Sequence, residues 1–294
     1  MRLLHRFAGR IASALFFAFA LAGAGQVSAQ QLGWEGETGV FITPLAYTAA
    51  TSPKKFALPT VAYHYLDAGP VIGIFSQASI TSGYSNRIEF GYTRTVHSTG
   101  GNAALSPLWT DGFNTFHAKG ALIKENAWKQ PWMPQVSAGF MVRSQVRNVG
   151  GALTKKDTTN GDIYVAASKT ITQLKPMPII VTGGIRGSNA QLFALAGNAP
   201  DWAALGFGSV AFVFQGPAKS TVVFAAEVSQ QPNHVKDLPG AVIPTAMVYA
   251  VRVLPSPKLP LSLDVGVLQG PGRIAPGIDL KARNRPAFAI SYKF

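Results

Sequence analysis

Residues 286–294 read PAFAISYKF, and Pro286, Phe288, Ile290, Tyr292 and Phe294 alternate there with Ala287, Ala289, Ser291 and Lys293. A period of two is the mark of a strand with one apolar face. Here it runs to the final residue, where most chains fray. A terminal strand keeps its order only when both of its edges are paired.

The same period recurs upstream. In TVVFAAEVS (221–229), Val222, Phe224, Ala226 and Val228 oppose Thr221, Glu227 and Ser229. In LPLSLDVGVLQG (259–270), Leu259, Leu261, Leu263, Val265 and Val267 oppose Ser262, Asp264 and Gly266. RIEFGYTRT (87–95) sets Ile88, Phe90 and Tyr92 against Arg87, Glu89 and Gly91. PQVSAGFMVRSQ (134–145) sets Val136, Ala138, Phe140 and Val142 against Gln135, Ser137, Gly139 and Arg143.

Aliphatic and aromatic residues on one face, with small and charged residues on the other, fit a wall between lipid and a polar lumen. In hydrocarbon every backbone donor and acceptor must be paired, so a sheet survives there only when closed. The expected class is therefore all-β: a transmembrane antiparallel up-and-down β-barrel of about 12 strands. A soluble sandwich is the competing reading, with the same aliphatics hidden between two sheets. The strands fall near 58–66, 70–80, 86–97, 112–124, 134–146, 161–172, 178–188, 207–215, 219–229, 243–253, 259–269 and 284–294. Short connections alternate with long ones rich in Gly, Pro, Asn and Asp, apart from the brief LDAGP at the first long-loop position. Short periplasmic turns and longer external loops have this layout.

The first residues form a separate object. Arg2, Arg6 and Arg10 precede the apolar run IASALFFAFALAGAG, and QVSA follows with small residues. This is the pattern of a secretory leader, cut after Ala29; the apolar run is short of the roughly 20 residues a spanning helix needs. The leader carries three arginines and no acid, which leaves 23 basic against 13 acidic residues in the remainder. There is no cysteine, so disulfides, thiol catalysis and cysteine-held metals are excluded. Export points the positive charge away from nucleic acid and toward anionic lipid, lipopolysaccharide, polysaccharide or a small anion.

Lys124, Lys129, Lys175, Lys219 and Lys258 sit in or beside the short turns, with only Glu125 opposing, and Lys54 and Lys55 precede the first strand. They read as lysines reaching lipid phosphates, or as a basic collar for an anionic substrate. Trp128 and Trp132 suit an interfacial aromatic belt.

The segments PQVSAGF, GDIYVAASKT, GGIRGSNA, EVSQQPN and FAISYKF, in that order, resemble an uncharacterised family of Gram-negative outer-membrane barrels, a domain of unknown function. The likeness covers about 58–294 and is strongest after 112. It implies a barrel in the bacterial outer membrane and brings no catalytic residues. Phe288, Ile290, Tyr292 and Phe294 resemble the porin-like C-terminal targeting signal of such proteins, which implies recognition by the barrel-assembly machinery. GETGVFITPLAYTAA (36–50) looks like the Thr-Pro entry segment of other exported barrels, which makes 30–57 a lead-in or plug ahead of a barrel at 58–294.

No chemistry stands out. His64, His97, His117 and His234 show no metal-ligand spacing, no GxSxG occurs, and neighbours His97 and Ser98 would point to opposite faces of a strand. An enzyme, a cofactor and a metal are not expected. On the same register the lumen receives Arg87, Glu89, Lys119, Arg143, Arg186, Glu227, Arg252 and Asp264, with His64, His117, Arg285 and Lys293. This inventory leans basic. Twelve strands enclose a bore of about 10 Å once side chains are subtracted. A small channel for anionic or polar solutes is the first functional expectation. The alternative is a closed structural or assembly barrel whose external loops bind lipopolysaccharide, polysaccharide or a protein.

Overall fold

The computed structural model describes residues 31–102, 108–147, 157–174, 177–191, 193, 195–234 and 240–294. The expected leader over 1–29 and Lys175 lie outside the described residues.

Among the described residues, twelve antiparallel strands close into a barrel. They are β1 (Thr60–Asp67), β2 (Gly73–Tyr84), β3 (Ile88–Thr99), β4 (Phe113–Ile123), β5 (Gln135–Arg147), β6 (Asp157–Ile171), β7 (Ile179–Ser188), β8 (Ala203–Gln215), β9 (Thr221–Ser229), β10 (Ala246–Leu254), β11 (Leu261–Gln269) and β14 (Arg285–Lys293). Every consecutive wall pair is hydrogen-bonded, so the topology is up-and-down. A small hairpin in the last long loop, β12 (Arg273–Ala275) with β13 (Ile278–Asp279), has no counterpart in the periodicity of the sequence.

Closure is made by β14, which pairs with β11 on one side and with β1 on the other. Val265 and Tyr65 flank Phe288, and Asp264 and His64 flank Ala289. This is how the alternation at 286–294 acquires two partners and leaves no open edge.

The faces separate as the alternation requires. Phe224 and Val228 of β9 and Leu263, Val265 and Val267 of β11 are exposed, while Glu227, Ser229, Ser262 and Asp264 are buried. The exposed aliphatics lie on the outside of the ring and the buried polar residues on the inside, the inverse of a soluble sandwich. Ile185 and Val265 keep 68% and 66% of their surface exposed, which in water would be a large unfavourable apolar area. Lipid removes that penalty. Val265→Arg is accordingly expected to cost about 2–4 kcal/mol for a position near the bilayer midplane, read from urea unfolding in lipid vesicles. Ser262→Asn, facing inward, should move the midpoint far less.

Two bulges interrupt the ladders, one at Ala121/Ile123 between β4 and β5 and one at Ser144/Val146 between β5 and β6. Gln145 takes a positive φ of 65° at the second. Both sit near strand ends, where a bulge adds twist and bends the strand. Trp128 and Trp132 are exposed in the β4–β5 turn, at the same end as Lys54, Lys124 and Lys258.

Candidate functional site: the filled lumen and its vestibule

A barrel wall with polar side chains facing inward must satisfy them with water or with chain. Here chain does much of it. Every residue from 31 to 49 except Ile42 is buried, and the segment runs inside the wall. Two isolated bridges, Leu32 to Thr38 and Gly39 to Pro44, fold it back on itself.

Four of the wall clusters that hold this inner segment are built on charged side chains. In the first, Glu227 of β9 accepts three consecutive amides, from Phe41 at 3.1 Å, Ile42 at 2.8 Å and Thr43 at 2.9 Å, and also the Thr43 hydroxyl at 2.6 Å. Successive N–H groups turned toward one carboxylate form an anion nest. In the second, Glu89 accepts the Thr38 amide at 2.8 Å and its hydroxyl at 2.5 Å. Lys119 pairs with Glu89 at 3.1 Å and donates to the carbonyls of Thr38 and Leu45, each at 3.0 Å.

The third cluster centres on Arg143, fully buried on β5. Its guanidinium grips Glu35 of the inner segment through Nε and Nη2, and also donates to Asp162 at 2.8 Å and Asn160 at 3.1 Å. Planar two-point contact of this kind is the strong form of a charged hydrogen bond. Arg186 lies 3.6 Å from the same Asp162. Nearer the short-turn end, Arg252 binds Asp264 through two contacts of 2.8 and 2.7 Å and donates to the Val40 carbonyl at 2.8 Å.

Close approach is needed where the segment meets β3. Gly36 has φ +93°, and a Cβ there would lie 2.4 Å from the Thr93 hydroxyl. On the wall, a Cβ at Gly91 would lie 2.5 Å from the His117 ring. Thr81 and Thr93 then donate to the Gly36 and Glu35 carbonyls at 2.6 and 2.9 Å. Apolar contacts complete the fit: Trp34 stacks on Phe41 with centroids 6.0 Å apart, and His64 meets both ring edges.

Of the eight lumen residues expected from the sequence, Glu89, Lys119, Arg143, Glu227, Arg252 and Asp264 are buried inside, and Arg186 is largely so. Arg87 departs from that expectation. Its parity is right, but β3 begins at Ile88, which leaves Arg87 exposed in the β2–β3 hairpin. Arg285 lies at the long-loop rim, 3.7 Å from Asp67, and Lys293 reaches the Ala50 carbonyl at 3.1 Å. The interior is not basic. Lys119, Arg143, Arg186 and Arg252 each face a carboxylate, and Glu35 and Glu37 of the inner segment together with Asp162 supply the acids the inventory lacked. Asp162 was legible from the alternation of Asp162, Tyr164 and Ala166; the two glutamates stand in a stretch with no period.

Glu37 is fully buried on the inner segment, and its Oε2 has no hydrogen-bond partner. Toward the short-turn end, the Tyr47 hydroxyl contacts Glu125 at 3.0 Å and Thr170 at 2.7 Å, and burial followed by the Glu125 charge holds the phenol above its usual range.

At the long-loop end the inner segment stops short of the mouth and leaves an open cavity of about 120 Å³. Trp34, Glu35 and Ile42 form its floor, Phe75, Arg186 and Leu268 belong to the wall, and Trp109 and Phe193 come from loops. Trp109 is fixed by its indole N–H, which donates to the Leu195 carbonyl at 3.1 Å. Residues on loops carry no period, so nothing in the sequence marked this vestibule. Among the described residues no cluster of three or more His, Asp or Glu is arranged to hold a metal.

In overall shape the chain is similar to the NanC porin, with a TM-score of 0.47 and 11% identity over 80% of this chain and 98% of that one. It is also similar to the β-domain of the Bordetella autotransporter BrkA, with a TM-score of 0.43 and 8% identity over 81% and 98%. No curated protein matches the sequence. A family model matches residues 29–238, which takes in the inner segment and stops before β10, whereas the resemblance read from the sequence ran over 58–294. By that match the chain belongs to the family described as proteins of unknown function, DUF3034.

Proposed function

We propose that this protein is an outer-membrane barrel held shut by its own N-terminal segment, which acts as a plug, and that it works by binding at its outer mouth rather than as a standing pore. The observation that carries this is the nest on Glu227, where one wall carboxylate takes three amides and a hydroxyl of residues 41–43. Such an arrangement fixes a backbone rather than lining a water path. Outer-membrane placement is supported by the outward aliphatic surface, by the expected leader, and by Phe288, Tyr292 and Phe294 on the exposed face of the closing strand. The same residues are the surface we assign to the barrel-assembly machinery. Arg273, Lys281 and Arg283, exposed on the last long loop, favour contact with lipopolysaccharide phosphates.

An open channel for small anions has less support, because Lys119, Arg143, Arg186 and Arg252 are each neutralised by an acid and leave no ring of unpaired positive charge. Passage of a solute would require the plug to move. Planar bilayers containing the purified full chain test this. The expected record is silent apart from rare, brief events; steady anion-selective openings in the wild type would overturn the reading.

A further inference from the structure

We propose that the β2–β3 hairpin and the lead-in chain beside it form a binding site for one anionic phospholipid, whose phosphodiester is held by Lys54, Lys55, Arg87 and Lys124 while its acyl chains lie on the outer wall. The inference rests on the outer-membrane placement proposed above, which sets the short turns at the leaflet facing the periplasm.

One tight turn gathers the four cations. Ser85 and Asn86 take φ of 56° and 54°, the paired left-handed conformation of a two-residue hairpin, and the Arg87 amide closes the turn on the Tyr84 carbonyl at 3.0 Å. Ser85 also docks the lead-in chain. Its hydroxyl accepts the Lys54 amide at 3.1 Å, and its own amide donates to the Lys55 carbonyl at 2.9 Å. Lys124, one residue past β4, donates its ammonium to the Asn86 carbonyl, and Arg87 reaches the Ala121 carbonyl at 3.5 Å. Burial, and then the Arg87 charge, hold the Lys124 ammonium below its usual range.

No carboxylate answers this charge. Among the described residues none of the four cations forms an ion pair. The acids nearest in sequence are committed elsewhere: Glu89 to Lys119 inside the barrel, and Glu125 to Lys169 at 3.2 Å and the Thr170 amide at 2.7 Å. A guanidinium fork beside ammonium groups is a donor set that matches phosphate oxygens. Apolar surface then decides between a free anion and a lipid. Phe56, Leu58 and Leu122 are exposed on the outer wall next to these cations, with Phe56 set against Tyr84 at 4.9 Å. An occupant with phosphate at one end and hydrocarbon at the other meets both surfaces.

Native mass spectrometry of the purified full chain, with phosphatidylglycerol, phosphatidylethanolamine or phosphatidylcholine added to the micelles, tests the site. One phosphatidylglycerol should stay bound under activation that strips the other two. Each cation near an anionic headgroup contributes about fivefold in affinity, so Arg87→Gln with Lys124→Gln should weaken retention roughly tenfold or more. Lys219→Gln with Lys258→Gln, at exposed positions on other turns of the same end, should leave it unchanged. Should the first pair fold poorly by heat-modifiable migration, Lys54→Gln with Lys55→Gln takes its place with the same expected loss. Glycerol 3-phosphate in modest excess, which carries the anion without the chains, should not displace the lipid. Equal retention of phosphatidylglycerol and phosphatidylcholine, or equal loss in the site and control variants, would overturn the proposal. So would displacement by glycerol 3-phosphate, which would reveal a soluble-anion site instead. A chain that stays in water rather than entering vesicles sinks the membrane placement itself; a vesicle-embedded chain without selective retention sinks only the lipid site.

Discussion

Deletion of residues 31–49 is expected to convert a silent barrel into a conducting one. Twelve strands about 4.8 Å apart and tilted about 40° give a backbone diameter of roughly 24 Å, and side chains from both walls leave on the order of 10 Å. In the intact chain that space holds the buried segment. Without it, Glu89, Lys119, Arg143, Glu227 and Arg252 would face water, which solvates charged groups without cost and would flood the bore. The closed ladder of the wall does not depend on the segment, so the deleted protein should still fold, with discrete, long-lived openings in planar bilayers. A milder variant grades the effect. Glu227→Ala strands the amides of Phe41, Ile42 and Thr43 and the Thr43 hydroxyl inside the barrel. Buried unsatisfied donors cost about 1–3 kcal/mol each before water reaches them. Short flickering openings are expected there, more frequent than in Glu227→Gln, which retains acceptor capacity. A deleted protein that folds and stays silent would show that something else closes the lumen.

Arg143→Met is expected to destabilise the protein strongly. Arg143 is the hub between the plug and two wall acceptors, Asp162 and Asn160. Removing one member of a buried ion pair costs about 3–5 kcal/mol, because the partner remains as an uncompensated charge. Here two carboxylates lose their main cation, and Asp162 keeps only Arg186 at 3.6 Å. The upper end of that range is therefore expected, read as a lowered urea midpoint in vesicles. The double variant Arg143→Met with Glu35→Gln should regain part of the loss, since the plug then carries a neutral amide. A loss below about 1 kcal/mol for the single variant would mean that water reaches the cluster and screens it.

The wall was legible in the sequence because it separates two unlike media, so each strand records both in alternate residues. TVVFAAEVS and LSLDVGV could be assigned inward and outward faces from their letters, and the bounds of β9 and β11 follow. Arg87 shows the limit of the method: parity extends past the end of a strand, but the wall does not. GETGVFITPLAYTAA has no period to read, because its conformation answers to partners far along the chain; Phe41 and Glu227 are 186 residues apart. The lean toward a basic lumen had the same origin. The strand inventory could not include Glu35 and Glu37, which reach the lumen from outside the wall. The vestibule, built partly from Trp109 and Phe193 on loops, left no pattern to find.

The anchors on Glu89, Lys119, Arg143, Glu227 and Arg252 fix an order of events. Residues 31–49 leave the ribosome before any wall strand, yet their partners are spread from β3 to β10, so the earliest part of the chain can take its place only when most of the latest has arrived. Seating of residues 31–49 is therefore a late event, one that waits until the wall strands from β3 to β10 stand together.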